Sequence, residues 1–147
     1  MAMVTKTILL VEDNPDDEAL TLRALKKHNF AHTVDVVRDG AEALDYIFGK
    51  GDYADRDKST MPQLILLDIK LPKVDGLEVL KEIRSNEKYH HIPIVMLTTS
   101  TEESDVVRSY KNGANSFIKK PVDFSEFLDV VNKLGIYWLA INTTPQK

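Results

Sequence analysis

The fold is decided by one stretch, Leu64-Ile65-Leu66-Leu67-Asp68-Ile69-Lys70-Leu71-Pro72-Lys73-Val74-Asp75-Gly76. Its four leading aliphatic residues run directly into the carboxylate of Asp68, and Pro72 and Gly76 end the run a few positions later. A short apolar run bounded by turn-forming residues predicts a strand buried on both faces. Asp68 would then lie at the carboxyl end of that strand, which is the edge where open α/β sheets bind their ligands. We therefore expect Asp68 to carry chemistry.

The rest of the chain alternates between apolar runs and amphipathic segments. Four further strands are predicted, at about 7–11, 33–37, 92–97 and 115–119. Helices are predicted after the strands, at about 15–27, 40–48, 76–88, 102–112 and 123–141. Strands that alternate with helices in this way predict a single α/β domain with a parallel, doubly wound sheet.

Length and composition are those of an ordinary single domain. The 147 residues are 43% apolar and 29% charged, and the net charge is −4 with a pI near 5.5. This acidic balance disfavours non-specific binding to nucleic acid. The absence of cysteine excludes disulfides, thiolate metal sites and cysteine nucleophiles. Neither a signal peptide nor a bilayer-spanning stretch is recognisable, so we expect a cytoplasmic protein that does not contact membranes.

Residues 49–62 interrupt the alternation. This segment has no apolar periodicity and is rich in glycine, aspartate and other turn-forming residues. It is long for a connection between a helix and a strand, so we expect a surface loop. Two interpretations remain open, a tolerated insertion and a contact with a partner.

Chemistry-bearing residues follow four different predicted strands. They are Glu12 and Asp13, Asp68, Thr98, and Lys120. The carboxyl ends of parallel strands meet at one edge of the sheet, so these side chains should lie together. Clustered carboxylates repel one another and need a cation, and Mg²⁺ prefers such oxygen ligands. A metal, a lysine and a hydroxyl beside a carboxylate nucleophile predict a site for an incoming phosphoryl group.

These motifs resemble the receiver domains of the response-regulator family in two-component signalling. The resemblance rests on Val11-Glu12-Asp13-Asn14, Leu66 through Gly76, Met96-Leu97-Thr98-Thr99, and Gly113 through Pro121. It covers about residues 6–134, which leaves a helix extension and tail at about 135–147. It implies the flavodoxin-like, CheY-like (βα)5 fold with strand order 2-1-3-4-5 and with an extended C-terminal helix.

The resemblance also implies a phosphorelay role. Asp68 would accept a phosphoryl group from a phosphohistidine on a sensor histidine kinase. Asp13, Asp68 and the backbone carbonyl of Lys70 would bind Mg²⁺, with Mn²⁺ able to take its place, and Glu12 would act through water. Lys120 would pair with Asp68 and then with the phosphoryl group, across a cis Lys120–Pro121 bond.

Further roles follow from the same resemblance. Thr98 would move toward the phosphoryl oxygen and Phe117 would turn inward, which switches the surface of the fourth helix, fifth strand and last helix. Lys70 and Ser100 lie where the family tunes dephosphorylation. The expected activity is phosphoacceptor signalling, in which the chain catalyses its own phosphorylation and dephosphorylation, and is not conventional enzyme catalysis.

The last helix carries two apolar stripes. Phe124, Phe127, Leu128, Val131 and Trp138 form the stripe expected to face the core, and Val130, Leu134, Tyr137 and Ile141 form the second. A helix that is apolar on two sides needs a second partner, so we expect either a homodimer interface or an extension folded back over its own domain. Three features together resemble the stand-alone regulators that partner bacterial phytochrome kinases. They are the long loop before Met61, the segment Leu97-Thr98-Thr99-Ser100 and the aromatic tail Tyr137-Trp138-Leu139.

Three other classes are less well supported. A magnesium nuclease or primase-like module needs Asp-x-Asp after a later strand, and Lys70 occupies that second acidic position. A flavin-binding domain needs a phosphate loop after the first strand, where Glu12 and Asp13 stand instead. A degenerate receiver that serves only as a protein-docking module is the remaining alternative. Because no output domain is recognisable, we expect no direct binding to DNA.

Overall fold

Five parallel strands form one sheet in the computed structural model, which describes residues 6–26, 32–57 and 61–143. The strands are β1 (Lys6–Val11), β2 (His32–Val37), β3 (Leu64–Leu67), β4 (Ile94–Thr98) and β5 (Ser116–Lys119). Their order is β2-β1-β3-β4-β5, and every neighbouring pair is parallel. The predicted doubly wound fold is therefore confirmed.

Five α-helices connect or follow the strands in the described part of the chain. They are α1 (Pro15–Lys26), α2 (Gly40–Phe48), α3 (Gly76–Arg84), α4 (Glu103–Lys111) and α5 (Phe124–Gly135), and α5 continues as a π-helix at Ile136–Ile141. α3 ends earlier than predicted, since the Asn86 carboxamide accepts hydrogen bonds from the amides of Lys88 and Tyr89 and holds a turn there. The predicted last residue of α1, Lys27, lies outside the described residues.

β3 is the centre of the core, and its side chains alternate between two apolar clusters. Ile65 and Leu67 face the cluster that contains residues of α2 and α3, whereas Leu64 and Leu66 face the cluster that contains residues of α1 and α5. All four residues are at most 1% exposed. Burial on both faces is why this strand is a continuous aliphatic run.

Side chains that cap α1 and α2 fix where these two helices begin. The Asn14 carboxamide accepts hydrogen bonds from the amides of Asp16 and Asp17 at 2.9 and 3.1 Å. The Asp39 carboxylate accepts one from the amide of Glu42 at 2.7 Å in the same way. These caps satisfy amides that would otherwise lack partners, so α1 and α2 begin close to the carboxyl edge of the sheet.

The structure of α5 and its extension corrects the two-stripe prediction. Leu134 is only 7% exposed and packs in the core, so it does not belong to an outward stripe. Val130 is half-buried against the same core. Tyr137 and Ile141 are 47% and 64% exposed. Leu134 follows Val131 by three positions, which places both on one helical face.

The wider π-turns then change which residues point inward. Leu139 is 1% exposed, whereas Trp138 is only half-buried. The Lys6 ammonium donates a hydrogen bond to the Leu139 carbonyl and ties the extension to the start of β1. Phe124, which was predicted to face the core, is 47% exposed and lies 5.6 Å from the Arg23 guanidinium. Within the described ranges, no helix combines the length and the apolarity that a membrane crossing needs.

Residues 51–57 of the long loop are anchored to α2. The Tyr53 hydroxyl donates to the Glu42 carboxylate at 2.6 Å, and its ring packs edge-on against Tyr46 at 5.3 Å. The Arg56 Nε donates to the Tyr46 carbonyl at 2.7 Å, and its guanidinium lies 4.4 Å from the centre of the Tyr46 ring. Residues 51–57 are therefore part of the folded domain, and Gly51–Tyr53 form a short 3₁₀ helix.

Arg84 organises the opposite edge of the sheet, at the amino ends of β4 and β5. Its guanidinium donates at 2.7 Å to the carbonyls of Gly113, His90 and Ile92, and at 2.8 Å to the Asn115 carboxamide oxygen. Burial lowers the pKa of Arg84. These contacts hold together the two loops that lead into β4 and β5.

Candidate phosphoryl-transfer site

An acidic cluster lies where β1 and β3 end side by side. Glu12 and Asp13 follow Val11, which is in register with Leu67, the residue before Asp68. Side-chain oxygens of Glu12, Asp13 and Asp68 all lie within 4.8 Å of one another. Glu12 is 1% exposed and Asp68 is 7% exposed, whereas Asp13 is open to solvent. The structure thus brings the three predicted acids together.

Lys120 joins this cluster from the end of β5. Its ammonium donates to Glu12 Oε1 at 2.6 Å, to Asp17 Oδ2 at 2.9 Å and to Asp68 Oδ2 at 3.0 Å. Burial of this side chain disfavours its charge, but the carboxylates of Asp68 and Glu12 outweigh that effect and raise the pKa of Lys120. Lys120 therefore stays a cation in a buried site.

Two opposing effects act on the pKa of the Glu12 carboxyl group. Burial raises the pKa of the Glu12 carboxyl to about 7, although the hydrogen bond and charge of Lys120 act in the opposite direction. The Asn14 amide also donates to Glu12 Oε2 at 3.2 Å. An additional cation next to Glu12 would stabilise its ionised form.

The donor set fits a hard divalent cation. All three acids offer carboxylate oxygens, and the exposed side of Asp13 leaves room for water ligands. Mg²⁺ prefers this arrangement, because it keeps several waters and takes few protein carboxylates. Lys70, whose carbonyl was predicted as a ligand, is an exposed residue two positions after Asp68.

The loop after Asp68 folds back tightly on the strand end. The Ile69 amide donates to Asp68 Oδ1 at 2.7 Å, and the Gly76 amide donates to the Ile69 carbonyl at 2.7 Å. A Cβ on Gly76 would lie only 1.9 Å from the Asp68 carbonyl oxygen. The Gly40 amide bonds the same loop at the Pro72 carbonyl, 3.2 Å away. Glycine at position 76 is thus required for Asp68 to take its place.

Thr98 and Ser100 continue from β4 into a hydrogen-bonded turn. Thr98 is 1% exposed, and its hydroxyl oxygen accepts a hydrogen bond from the Ser100 amide at 3.3 Å. The Ser100 hydroxyl donates to Asp105 Oδ2 at 2.5 Å, and this bond holds the pKa of the Asp105 carboxyl below its usual value. Arg108 donates to the other Asp105 oxygen at 3.0 Å. The turn that carries Thr98 is therefore tied to the first turn of α4.

Phe117 is half-buried on β5 and packs against the core cluster of α2 and α3. Its amide donates to the Tyr110 hydroxyl at 3.2 Å.

The expectation of a cis bond between Lys120 and Pro121 is wrong, because the described chain contains no cis peptide bond. The Lys120 ammonium reaches its acids with the trans bond, which X–Pro sequences prefer by about 0.5–1 kcal/mol.

Two site residues were missed by the sequence analysis. Asp17 contacts Lys120 and Asp105 contacts Ser100, yet both belong to helices. Strand ends are the places that the sequence pattern marks, whereas a helical residue reaches the site only through the rotation of its helix. The acids Asp16, Asp17 and Glu18 were visible in the sequence as first-turn acids of a helix.

Comparison with known proteins gives a family. The model of the response regulator receiver domain matches residues 8–132. The probable methanogenesis regulatory protein FilR2 of Methanothrix harundinacea is 41% identical over 138 residues, which are 94% of this chain and 86% of FilR2. The response regulator Rcp1 of Synechocystis sp. is 39% identical over 140 residues, which are 95% of this chain and 93% of Rcp1.

Solved structures agree with this assignment. The phosphorylated cyanobacterial phytochrome response regulator RcpA matches with a TM-score of 0.91 at 42% identity, over 97% of this chain and 99% of RcpA. The Mn²⁺-bound form of Rcp1 matches with a TM-score of 0.89 at 38% identity, over 95% of this chain and 99% of Rcp1. This chain belongs to the response regulator receiver domain family.

Proposed function

We propose that this chain is a phosphorelay response regulator that accepts a phosphoryl group on Asp68 from a phosphohistidine of a sensor histidine kinase. The observation that carries the proposal is the buried Lys120 ammonium, which bonds both Asp68 and Glu12 beside an oxygen-ligand cluster. This arrangement presents one carboxylate as a nucleophile and places positive charge where phosphoryl oxygens would arrive.

The proposed transfer exchanges one bond for another. A carboxylate oxygen of Asp68 forms a bond to phosphorus while the bond from phosphorus to the donor imidazole nitrogen breaks. The electron pair of that bond returns to the imidazole nitrogen, and Asp68 becomes an acyl phosphate. Lys120 donates hydrogen bonds to the new phosphoryl oxygens, whose charge it offsets.

Metal binding is part of the proposal. Asp13, Asp68 and the Lys70 carbonyl would hold Mg²⁺, with Glu12 acting through a bound water and with Mn²⁺ able to substitute. The relative Rcp1 has been solved in a Mn²⁺-bound form, which supports this choice. When bound, the cation neutralises charge that develops on the phosphoryl oxygens.

The response to phosphorylation would begin at Thr98, whose hydroxyl would shift toward the phosphoryl group. Phe117 would turn further inward, and the surface made by α4, β5 and α5 would change. Lys70 and Ser100 would set how long the phosphoryl group lasts. Ser100 supports this role through its hydrogen bond to Asp105, which links the Thr98 turn to α4.

For the partner we propose a phytochrome-type histidine kinase, acting in the cytoplasm where the ATP that charges such a kinase is available. The name of RcpA connects it to a phytochrome, which supports this choice. The name of FilR2 connects it to methanogenesis instead, so the kinase has to be identified by direct transfer. We also propose a homodimer interface on exposed Tyr137 and Ile141 with half-buried Val130, which leaves out the core residue Leu134.

The central claim is tested by incubating the protein with acetyl phosphate and Mg²⁺ and measuring its intact mass. We expect a gain of one phosphoryl group that is lost in Asp68→Asn and depends on the metal. The matched control is Asp16→Asn, which removes an exposed acid of α1 and should leave the gain unchanged. Equal labelling of Asp68→Asn, or no labelling of the wild type, would refute the proposal and favour a docking module.

A further inference from the structure

Lys120 uses three acceptors, and the third of them belongs to a different part of the fold. Glu12 and Asp68 follow strands, but Asp17 lies in the first turn of α1. Its Oδ2 accepts from the Lys120 ammonium at 2.9 Å, which is slightly shorter than the 3.0 Å bond to Asp68. An ammonium group has three N–H donors, so these contacts use all of them.

Asp17 is held firmly at its own position. Its amide donates to the Asn14 carboxamide at 3.1 Å, and its carbonyl accepts from the Thr21 hydroxyl at 2.7 Å. Its side chain is 22% exposed, compared with 3% for Lys120, so it approaches the ammonium from the solvent side of the site. Asp17 therefore gives Lys120 an acceptor outside the strand ends.

We propose that Asp17 is a positioning residue for Lys120 in phosphoryl transfer, a role that rests on the function proposed above. Without Asp17, the ammonium would be drawn fully onto Glu12 and Asp68. A lysine that pairs closely with Asp68 withdraws charge from the nucleophile and lies away from the incoming group. With Asp17 present, Lys120 can exchange Asp68 for a phosphoryl oxygen while it keeps one fixed bond.

Two substitutions of Asp17 distinguish its role in positioning Lys120 from the effect of its negative charge. Asp17→Asn removes the charge but keeps an oxygen that can accept from Lys120, whereas Asp17→Ala removes both. Asp16→Ala is the matched control, because Asp16 is an exposed acid in the same helical turn and shares its effect on the helix dipole. Each variant is phosphorylated with acetyl phosphate at saturating Mg²⁺, and the rate constant is measured from intact mass.

We expect Asp17→Ala to lower the maximal rate constant about threefold to tenfold, as the loss of a partly exposed charged hydrogen bond would. Asp17→Asn and Asp16→Ala should stay within about twofold of the wild type. A wild-type rate in Asp17→Ala would overturn the inference. An equal loss in Asp17→Asn would also overturn it, because the effect would then come from charge alone.

A second readout does not depend on phosphorylation. NMR of lysine ammonium protons without metal should show slow exchange for Lys120 in the wild type and in Asp17→Asn, and fast exchange in Asp17→Ala. Unchanged exchange in Asp17→Ala would contradict a positioning role.

If the wild type takes up no phosphoryl group on Asp68, the proposed function fails. If it does so and Asp17→Ala reacts equally fast, the positioning role alone fails.

Discussion

At the scale of single residues, the position of Asp68 depends on the absence of a side chain at Gly76. The Gly76 backbone passes so close to the Asp68 peptide that a Cβ would overlap with the carbonyl oxygen at 1.9 Å. A flexible side chain could move aside, but a backbone carbonyl cannot move without shifting the carboxylate attached to it. The nucleophile is therefore positioned partly by a residue eight places further along the chain.

Gly76→Ala should destabilise the protein by about 1–3 kcal/mol, the usual cost of forcing extra atoms into a packed site. The measurement is urea unfolding followed by circular dichroism. The matched control is Gly135→Ala in α5, where a Cβ would meet only the Leu25 Cδ2 at an ordinary 3.4 Å. That change should stabilise by about 0.5 kcal/mol, since alanine favours helix. Equal effects of the two substitutions would contradict the steric argument.

At the scale of elements, residues 51–57 are attached to α2 by polar contacts. Burial, together with the hydrogen bond to Glu42, raises the pKa of the Tyr53 hydroxyl to about 12. Burial disfavours the charged, deprotonated form of the tyrosine. The folded protein therefore binds the hydroxyl proton more tightly than the unfolded chain does. The stability that this adds is complete below about pH 10, the usual tyrosine pKa. It is lost as the pH rises through about 12.

Tyr53→Phe should therefore reduce the alkaline loss of stability. The variant loses one hydrogen bond, so it should be less stable than the wild type by about 1 kcal/mol near neutral pH. Between about pH 10 and pH 12 its unfolding free energy should fall less steeply. Val122→Ala, at a fully exposed position and with no titratable group removed, is the control and should keep the wild-type slope. Urea unfolding across this pH range gives both slopes, and identical slopes for Tyr53→Phe and the wild type would exclude the argument.

At the scale of the whole molecule, the C-terminal extension carries the surface that we propose as a homodimer interface. The core already uses Leu134 and Leu139, so the exposed apolar surface of the extension centres on Tyr137 and Ile141. The Lys6 contact to the Leu139 carbonyl ties this surface to β1. A partner would therefore meet a surface that is already ordered in the single chain.

We expect light scattering to report a dimer that Tyr137→Ala combined with Ile141→Ala converts to a monomer. The physical reason is the loss of apolar area from a surface that is buried on association. The control is Val122→Ala, a fully exposed valine before α5, which should leave the mass unchanged. A monomer before and after phosphorylation, or a dimer that survives the double substitution, would rule out this interface.

The sequence predicted the sheet and the acidic edge, because both depend on short-range patterns. Apolar runs mark the strands, and the residues that follow parallel strands must share an edge. Asp17 and Asp105 could not be predicted in this way, since their contacts depend on how α1 and α4 are rotated against the sheet. Leu134 was assigned to the wrong stripe, because two overlapping apolar stripes leave the inward face of the helix undecided.

Arg84 has a mechanical consequence for the site at the far edge. Its hydrogen bonds fix the loops that precede β4 and β5, and the opposite ends of these strands carry Thr98 and Lys120. Both strands therefore have their amino ends fixed by Arg84, and we expect any displacement on phosphorylation to be largest at their carboxyl ends. α4 ends at Lys111, two residues before the Arg84 contact at Gly113, so we expect a shift of the Thr98 turn to move the first turn of α4 more than its last.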